Sequence, residues 1–177
     1  MIGYTPLLPR TAGQAIFPEE AMIAVNAGVD ELTAWPTPLE PMPEELLQAI
    51  ISNSTPVVSG FSVSGTLPED DVRRFLDAGG TLMFGTFAPN SGVKPVTEFR
   101  LMDSYGVTPM EMIQSATVNA ASAREIGDVV GTLEVGKQAD IIVVDSDLLE
   151  DGFVTTIGKW SVWSRTGSWL FNQNKAV

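Results

Sequence analysis

Apolar positions in the first part of the chain alternate between helix-like stripes and short strand-like runs. Stripes that begin at a proline and end near glycine or asparagine cover residues 18–28, 43–52 and 68–78. Each stripe is followed by a short apolar run that predicts a strand, over residues 29–35, 56–63 and 81–86. Because only a few residues connect each helix to the next strand, the pattern predicts parallel βα units, and hence an α/β fold.

The pattern changes in the second part of the chain. Two more helices are predicted over residues 96–105 and 109–122, the second with Thr108 as N-cap and Glu111 at the capping-box position. After them come strand-like runs at 129–135, 141–144, 154–164 and 168–172, with no helix predicted between them. We therefore expect a partial (βα) barrel-like region over residues 1–125 and a small antiparallel β-sandwich-like region over residues 126–177.

Two segments carry a resemblance to a known family. Residues 106–124 read GVTPMEMIQSATVNAASAR, and residues 131–145 read GTLEVGKQADIIVVD. They resemble the C-terminal signature of the amidohydrolase superfamily, especially its imidazolonepropionase-like and prolidase-like members. The resemblance implies late βα units of a TIM-like barrel plus part of a flanking β-sandwich. It also implies hydrolysis of amide, cyclic amide, lactone or ester bonds by metal ions that are held mostly by histidines.

From about Gln14 onward, the chain is similar to roughly the last third of such a protein, and it is too short to include the histidine pair of the first barrel strand. At the remaining positions where the family binds metal, this sequence has Gln14 and Ile16, then Ala34 or Trp35, and finally Phe87. The 177 residues include no histidine and no cysteine. Since a catalytic metal needs about three donor side chains, we expect no metal and no other cofactor. Weak binding of calcium by clustered carboxylates is the alternative.

The same substitutions would turn a polar metal site into an apolar one. Ile16, Trp35, Phe61 and Phe87 would then line this site, which could be a pocket for a small apolar ligand at the carboxyl ends of the strands. Alternatively, these residues are simply core residues that fill the space the lost ligands left.

Three residues are weak candidates for catalysis without metal. Ser62 lies in a Gly-Phe-Ser-Val-Ser segment that approaches a nucleophile elbow but lacks its last glycine. With no histidine available, this serine would need a carboxylate or a lysine as its base. Ser91 and Lys94 have the spacing of serine–lysine hydrolases, but the glycine and proline around them favour a loop over the helix that such a pair requires.

The charge balance excludes some classes of partner. With 22 acidic and 10 basic residues, the net charge is −12, which argues against nucleic acid and against an anionic membrane surface. No apolar stretch approaches the roughly 20 residues of a membrane-spanning helix, and the first residues make a poor signal peptide. We therefore expect a soluble, cytoplasmic protein.

Two functional hypotheses remain open. The first is a truncated amidohydrolase-like hydrolase, weak or inactive because it lacks the histidine-based metal site. The second is a non-catalytic binding or assembly protein of the same ancestry. Because a few βα units cannot close a barrel, and open sheet edges tend to recruit other strands, we also expect a homo-oligomer.

Overall fold

The computed structural model describes residues 10–15, 17–36, 40–86, 94–144, 147–156, 160–163 and 169–172. Its first part contains a four-stranded parallel sheet whose strands lie side by side in the order of the sequence. Its last part contains a three-stranded antiparallel sheet. The predicted α/β fold, followed along the chain by a small antiparallel β unit, is confirmed. Within the described ranges, no helix is long and apolar enough to cross a lipid bilayer.

The parallel sheet is built from short strands. These are β1 (Ala12–Gly13), β2 (Glu31–Leu32), β3 (Val57–Val58) and β4 (Leu82–Met83). Leu32 pairs with Val57, and Val57 pairs with Leu82, so one row of side chains crosses the sheet. All three side chains in this row are at most 1% exposed, which places the row in the hydrophobic core.

The described residues form eight helices, of which the first seven belong to the part with the parallel sheet and the eighth lies between the first two strands of the antiparallel sheet. They are α1 (Pro18–Asn26), α2 (Glu44–Ser52), α3 (Phe61–Ser64), α4 (Asp71–Asp77), α5 (Pro95–Ser104), α6 (Pro109–Ala116), α7 (Val118–Ala123) and α8 (Phe153–Thr156). The antiparallel strands are β5 (Ile141–Val144), β6 (Trp160–Trp163) and β7 (Trp169–Asn172).

The helix predictions hold best where the apolar stripe is clear. In α2, the stripe residues Leu46, Leu47 and Ile50 are all buried. At the start of α6, the Thr108 side chain accepts from the Glu111 amide while the Glu111 carboxylate accepts from the Thr108 amide, so the predicted capping box is confirmed. The single helix predicted over 109–122 is wrong, because the backbone leaves helical geometry at Thr117 and divides the segment into α6 and α7.

The strand predicted over 56–63 is also too long. The chain leaves β3 after Val58, and Gly60 adopts a left-handed conformation with φ of 51°. That conformation is incompatible with a continued strand, and it turns the backbone into the short helix α3. An apolar run by itself could not distinguish this strand–turn–helix from one longer strand.

Two predictions for the last part of the chain need correction. Residues 129–135 form turns and no strand, with the Gln138 amide donating to the Val129 carbonyl at 2.8 Å. Helix α8 interrupts the strand predicted over 154–164, so the expectation that no helix intervenes is wrong. The reason lies in tertiary packing, since the Phe153 ring meets the Phe99 ring of α5 with centroids 4.8 Å apart.

The outer edge of β4 is covered by the chain itself. The Phe84 amide donates to the Ser115 carbonyl at 3.0 Å, and the Asn119 side-chain amide donates to the Leu82 carbonyl at 3.0 Å. These bonds use backbone groups that a further strand would otherwise pair with. The open sheet edge expected from the sequence is therefore absent at β4.

Candidate functional site

The carboxyl ends of parallel strands meet at one edge of a sheet, and this edge, which we call the carboxyl edge, is where barrel-like folds place their sites. Gln14 follows β1 and is exposed, whereas Ala34 and Trp35 follow β2 and are buried. Phe61 follows β3 and is 1% exposed, like Trp35. Ile16 and Phe87, which the sequence also assigns to this region, lie outside the described residues.

Trp35 and Phe61 are brought together in an aromatic cluster. Their ring centroids are 5.5 Å apart with the planes at 72°, and Trp35 meets Phe75 in the same edge-on manner at 5.4 Å. Phe61 in turn packs against Tyr105 at 5.4 Å. Such edge-to-face contacts are the favourable geometry for aromatic pairs. At this end of the sheet, the two predicted ligand-binding residues belong to the packed core.

A buried carboxylate that the sequence reasoning missed lies next to this cluster. Glu98, on α5, is 0% exposed. It accepts a hydrogen bond from the Phe61 amide at 2.8 Å and another from the Ser62 amide at 3.1 Å. Its burial could have been inferred, because Glu98 is four residues from Met102, which is buried on the same helical face.

The three candidates for catalysis are not assembled into a reactive group among the described residues. The Ser62 hydroxyl is buried and makes no hydrogen bond, so the nearby Glu98 carboxylate, which accepts from the Ser62 amide, is not bonded to it as a base. Lys94 is exposed and lies directly before α5. Ser91 lies outside the described residues, so the serine–lysine spacing stays a prediction.

The ends of β3 and β4 are tied together by one hydroxyl. Ser59 is 0% exposed, and its hydroxyl accepts from the Gly85 amide and donates to the Gly85 carbonyl, both at 3.2 Å. A Cβ added to Gly85 would lie 2.3 Å from a methyl group of Val58, so the close approach of the two strands requires glycine here.

The donor set at the carboxyl edge does not fit the metal ions that the family resemblance implies. In the part of the chain that the structure describes, no three acidic side chains come close enough to hold a metal ion. The side chains that follow the strands supply amide, hydroxyl, methyl and aromatic groups, and the nearby Glu98 carboxylate is engaged by two backbone amides. Metal centres need carboxylate, imidazole or thiolate donors in larger number.

A polar cleft of about 610 Å³ lies at the opposite edge, beside the amino ends of β2, β3 and β4. Arg10 crosses it and pairs with Asp30 at 3.6 Å and with Glu125 at 2.8 Å. Nearby, Arg124 pairs with the buried Glu31 at 2.8 Å. These ion pairs connect the sheet to the end of α7, and the guanidinium of Arg10 is shared between the two carboxylates that line the cleft.

Hydrogen bonds also hold the side chain of Asp30, which lies in the loop before β2 at this edge of the sheet. The Thr11 amide donates to the Asp30 carboxylate at 2.7 Å, and this bond lowers the pKa of Asp30 below its usual value. The Thr11 hydroxyl and the Arg10 charge add to that effect, while partial burial opposes it. The arrangement explains Asp30 as a structural acid of the loop before β2.

Comparison of this chain with known proteins identifies similar sequences. Residues 68–168 match the sequence model of the amidohydrolase family. The imidazolonepropionase of Caldanaerobacter subterraneus is 34% identical over 99 residues, which cover 53% of this chain and 24% of that protein. The imidazolonepropionase of Brevibacillus brevis is 31% identical over 150 residues, which cover 78% of this chain and 34% of that protein.

Solved structures share the fold over most of this chain. A Xaa-Pro dipeptidase with methionine bound in its active site superposes with a TM-score of 0.75 at 26% identity, covering 92% of this chain and 45% of that one. Molinate hydrolase superposes with a TM-score of 0.72 at 20% identity, covering 89% of this chain and 42% of that one, which shows the fold alone. This chain thus spans about a quarter to a third of these curated relatives and less than half of the solved chains.

Proposed function

The chain belongs to the amidohydrolase family, and we propose that it is a hydrolase-like protein acting, weakly at best, on C–N, lactone or ester bonds. Family membership and the hydrolases among its relatives support the reaction class. The limit on its rate is inferred from the carboxyl edge, where the described side chains include no set of metal donors. That observation carries the proposal, since the family resemblance implies a metal-bound water as the nucleophile.

Without a metal, water would have to be activated by a carboxylate or a hydroxyl. Among the described candidates, the Ser62 hydroxyl makes no hydrogen bond to a base, and the oxygens of the buried Glu98 carboxylate already accept from two backbone amides. The carboxylate is therefore engaged in holding the backbone and is not directed at a water molecule. Both features support residual or absent catalysis rather than an efficient alternative mechanism.

The proposal is tested with activated esters, lactones and dipeptides, each assayed before and after prolonged exposure to EDTA. We expect any hydrolysis above the buffer rate to be slow and to survive chelation. Ser62→Ala serves as the matched variant, because it removes one candidate nucleophile whose hydroxyl makes no hydrogen bond. Complete inactivation by EDTA, with recovery on adding zinc or manganese, would contradict the proposal.

The second candidate function is a binding or assembly protein without catalysis, and the region after Gly127 favours it. Leu133, which precedes β5 in the sequence, is 81% exposed. On β5, the consecutive residues Ile142 and Val143 point to opposite faces of the sheet, and they are 60% and 45% exposed. Apolar groups on both faces of a sheet are typical of a surface that another element covers. We propose a homo-oligomer on this basis.

Light scattering at micromolar concentration tests the assembly. We expect a mass above the 19.0 kDa of one chain. Ile142→Lys should reduce association if the sheet of β5–β7 forms the contact. Ile23→Lys is the matched control, because Ile23 is 70% exposed on α1, a helix that packs against α2 and the parallel sheet. A sharp single-chain mass for the unaltered protein would contradict assembly.

A further inference from the structure

Proceeding from the proposed function, we propose that the hydrogen bonds made by the Ser59 hydroxyl and those accepted by the Glu98 carboxylate tie the strand ends at the carboxyl edge together, in the place where related folds use a metal ion. On this inference, the carboxyl edge is a closed structural element with no metal-binding function. This inference concerns residues of this chain, and metal-binding or stability measurements can disprove it even if weak hydrolysis is found.

The first tie joins β3 to β4. The strand hydrogen bonds continue past β3, with the Ser59 amide donating to the Met83 carbonyl at 2.8 Å and the Gly60 amide donating to the Gly85 carbonyl at 3.2 Å. The Ser59 hydroxyl adds its two bonds to Gly85 at the same point. Because Ser59 is fully buried, water does not compete for these bonds.

The second tie joins the loop after β3 to α5. Glu98 accepts from two successive backbone amides, those of Phe61 and Ser62, at the turn that Gly60 makes possible. A carboxylate bonded to backbone amides is a charge-assisted contact, about twice as strong as a neutral one. This contact fixes the direction in which the Phe61 ring enters the core.

The Phe61 ring then packs at the carboxyl edge, where solvent hardly reaches it. Phe61 packs on Trp35 and Tyr105, and the Tyr105 hydroxyl accepts from the Leu67 amide at 3.1 Å. Trp35 and Phe61 are each only 1% exposed, so both rings are packed against other protein atoms. Among the described residues at this edge, the nearby carboxylate is that of Glu98, and its oxygens already accept from two backbone amides.

Metal titration provides the first test. Zinc sulfate and manganese chloride are titrated into the EDTA-treated chain and followed by calorimetry, and the thermal midpoint is measured with and without each metal. We expect no binding tighter than about millimolar, the range of weak carboxylate sites, and an unchanged midpoint. One equivalent of tightly bound metal, or a midpoint raised by several degrees, would overturn the inference. Neither result depends on whether a substrate is hydrolysed.

Two variants test the ties themselves. Glu98→Gln should speed hydrogen exchange of the Phe61 and Ser62 amides more than tenfold and lower the thermal midpoint by roughly 5–10 °C. Glu44→Gln is its control, because the Glu44 carboxylate is 63% exposed on α2. Unchanged exchange of these two amides in a folded Glu98→Gln protein would overturn the inference.

Substitutions of Ser59 and Ser62 provide a second test of the inference, which can be used if the Glu98→Gln protein does not fold. Ser59→Ala removes a hydroxyl with two buried bonds, whereas Ser62→Ala removes a buried hydroxyl with none. We expect Ser59→Ala to lower the midpoint by roughly 3–6 °C and Ser62→Ala to leave it unchanged or raise it slightly. Equal effects of the two substitutions would show that the Ser59 bonds do not hold the edge.

Discussion

The region around the parallel sheet and the region after Gly127 have similar apolar runs but very different burial. Leu32, Val57 and Leu82 are almost inaccessible between helices. In residues 127–154, by contrast, Phe153 is the only buried residue among those whose burial is described. Local sequence makes strands in both places, but burial depends on whether other elements cover them.

The two regions differ in burial because different elements pack over their strands. Crossover helices return over the parallel sheet, because strands that run the same way need long connections. The antiparallel strands β5 and β6 need no such helix, and the described residues that pack from this region against the core are few, namely Leu148 and, on α8, Phe153 and Val154. The two regions should therefore differ sharply in how substitutions affect stability.

The largest expected effect comes from the aromatic core. Phe75 is 0% exposed, and its ring lies so close to Gly80 that a Cβ there would be 2.4 Å away. Phe75→Ala should lower the free energy of unfolding by about 3–5 kcal/mol, measured by urea denaturation. Val135→Thr, at a fully exposed position in the turn before β5, should change it by no more than about 0.5 kcal/mol because threonine keeps the β-branching. Comparable losses would mean that this turn is covered in solution.

The next effect is electrostatic and belongs to the helices around the parallel sheet. Arg73 on α4 donates two bonds to Glu111 at 2.9 Å, and this lowers the pKa of Glu111 from 4.5 to about 2. A lowered pKa stabilises the fold above pH 4.5, and that stabilisation is lost as the pH falls through about 2. Allowing for partial exposure, we expect on the order of 2 kcal/mol at pH 7.

Glu111→Gln measures this contribution cleanly, because glutamine preserves the capping box while removing the charge. The difference in unfolding free energy between the two proteins should be largest at pH 7 and shrink steadily between about pH 5 and pH 2. Asp77→Asn is the control, since Asp77 pairs with the same guanidinium but is 66% exposed, and it should cost less than about 1 kcal/mol. A difference that does not vary with pH would exclude the ion pair as its source.

A smaller effect is expected where the sheet edge is covered. Asn119→Ala removes the bond to the Leu82 carbonyl and should lower the free energy of unfolding by about 1 kcal/mol, with faster hydrogen exchange at Phe84. Asn53→Ala removes a similar amide bond, to the Ala49 carbonyl, but at an exposed helix end. It should cost no more than about 0.5 kcal/mol. If both variants behave alike, the covering of β4 adds nothing to stability.

The smallest effect is predicted for the exposed ion pair after Gly127. Lys137 lies 3.3 Å from Glu134, and the Thr132 hydroxyl, followed by Lys137, lowers the pKa of Glu134. Because the Glu134 carboxylate is 61% exposed and screened by water, Glu134→Gln should leave the thermal midpoint unchanged in calorimetry at pH 7 and at pH 4. A shift of more than about 2 °C at either pH would show that this turn is more tightly integrated than its exposure indicates.

The sequence by itself determined the family, the α/β order and the loss of the usual donors. The segment from Gly106 to Arg124 matches a family signature, and the capping box at Thr108 follows from residues three positions apart. A histidine-free composition needs no structure to exclude imidazole ligands. These features are local or compositional, so short-range patterns carry them.

Only the tertiary structure decided how the strand ends are closed. Nothing in the local pattern shows that Glu98 reaches residues 37 positions away at Phe61, or that Asn119 reaches Leu82. The same holds for the left-handed turn at Gly60, which divides an apolar run into a strand and a helix. Contacts between distant segments depend on how the elements pack together, and hydrophobic periodicity reports only which face of each element is apolar.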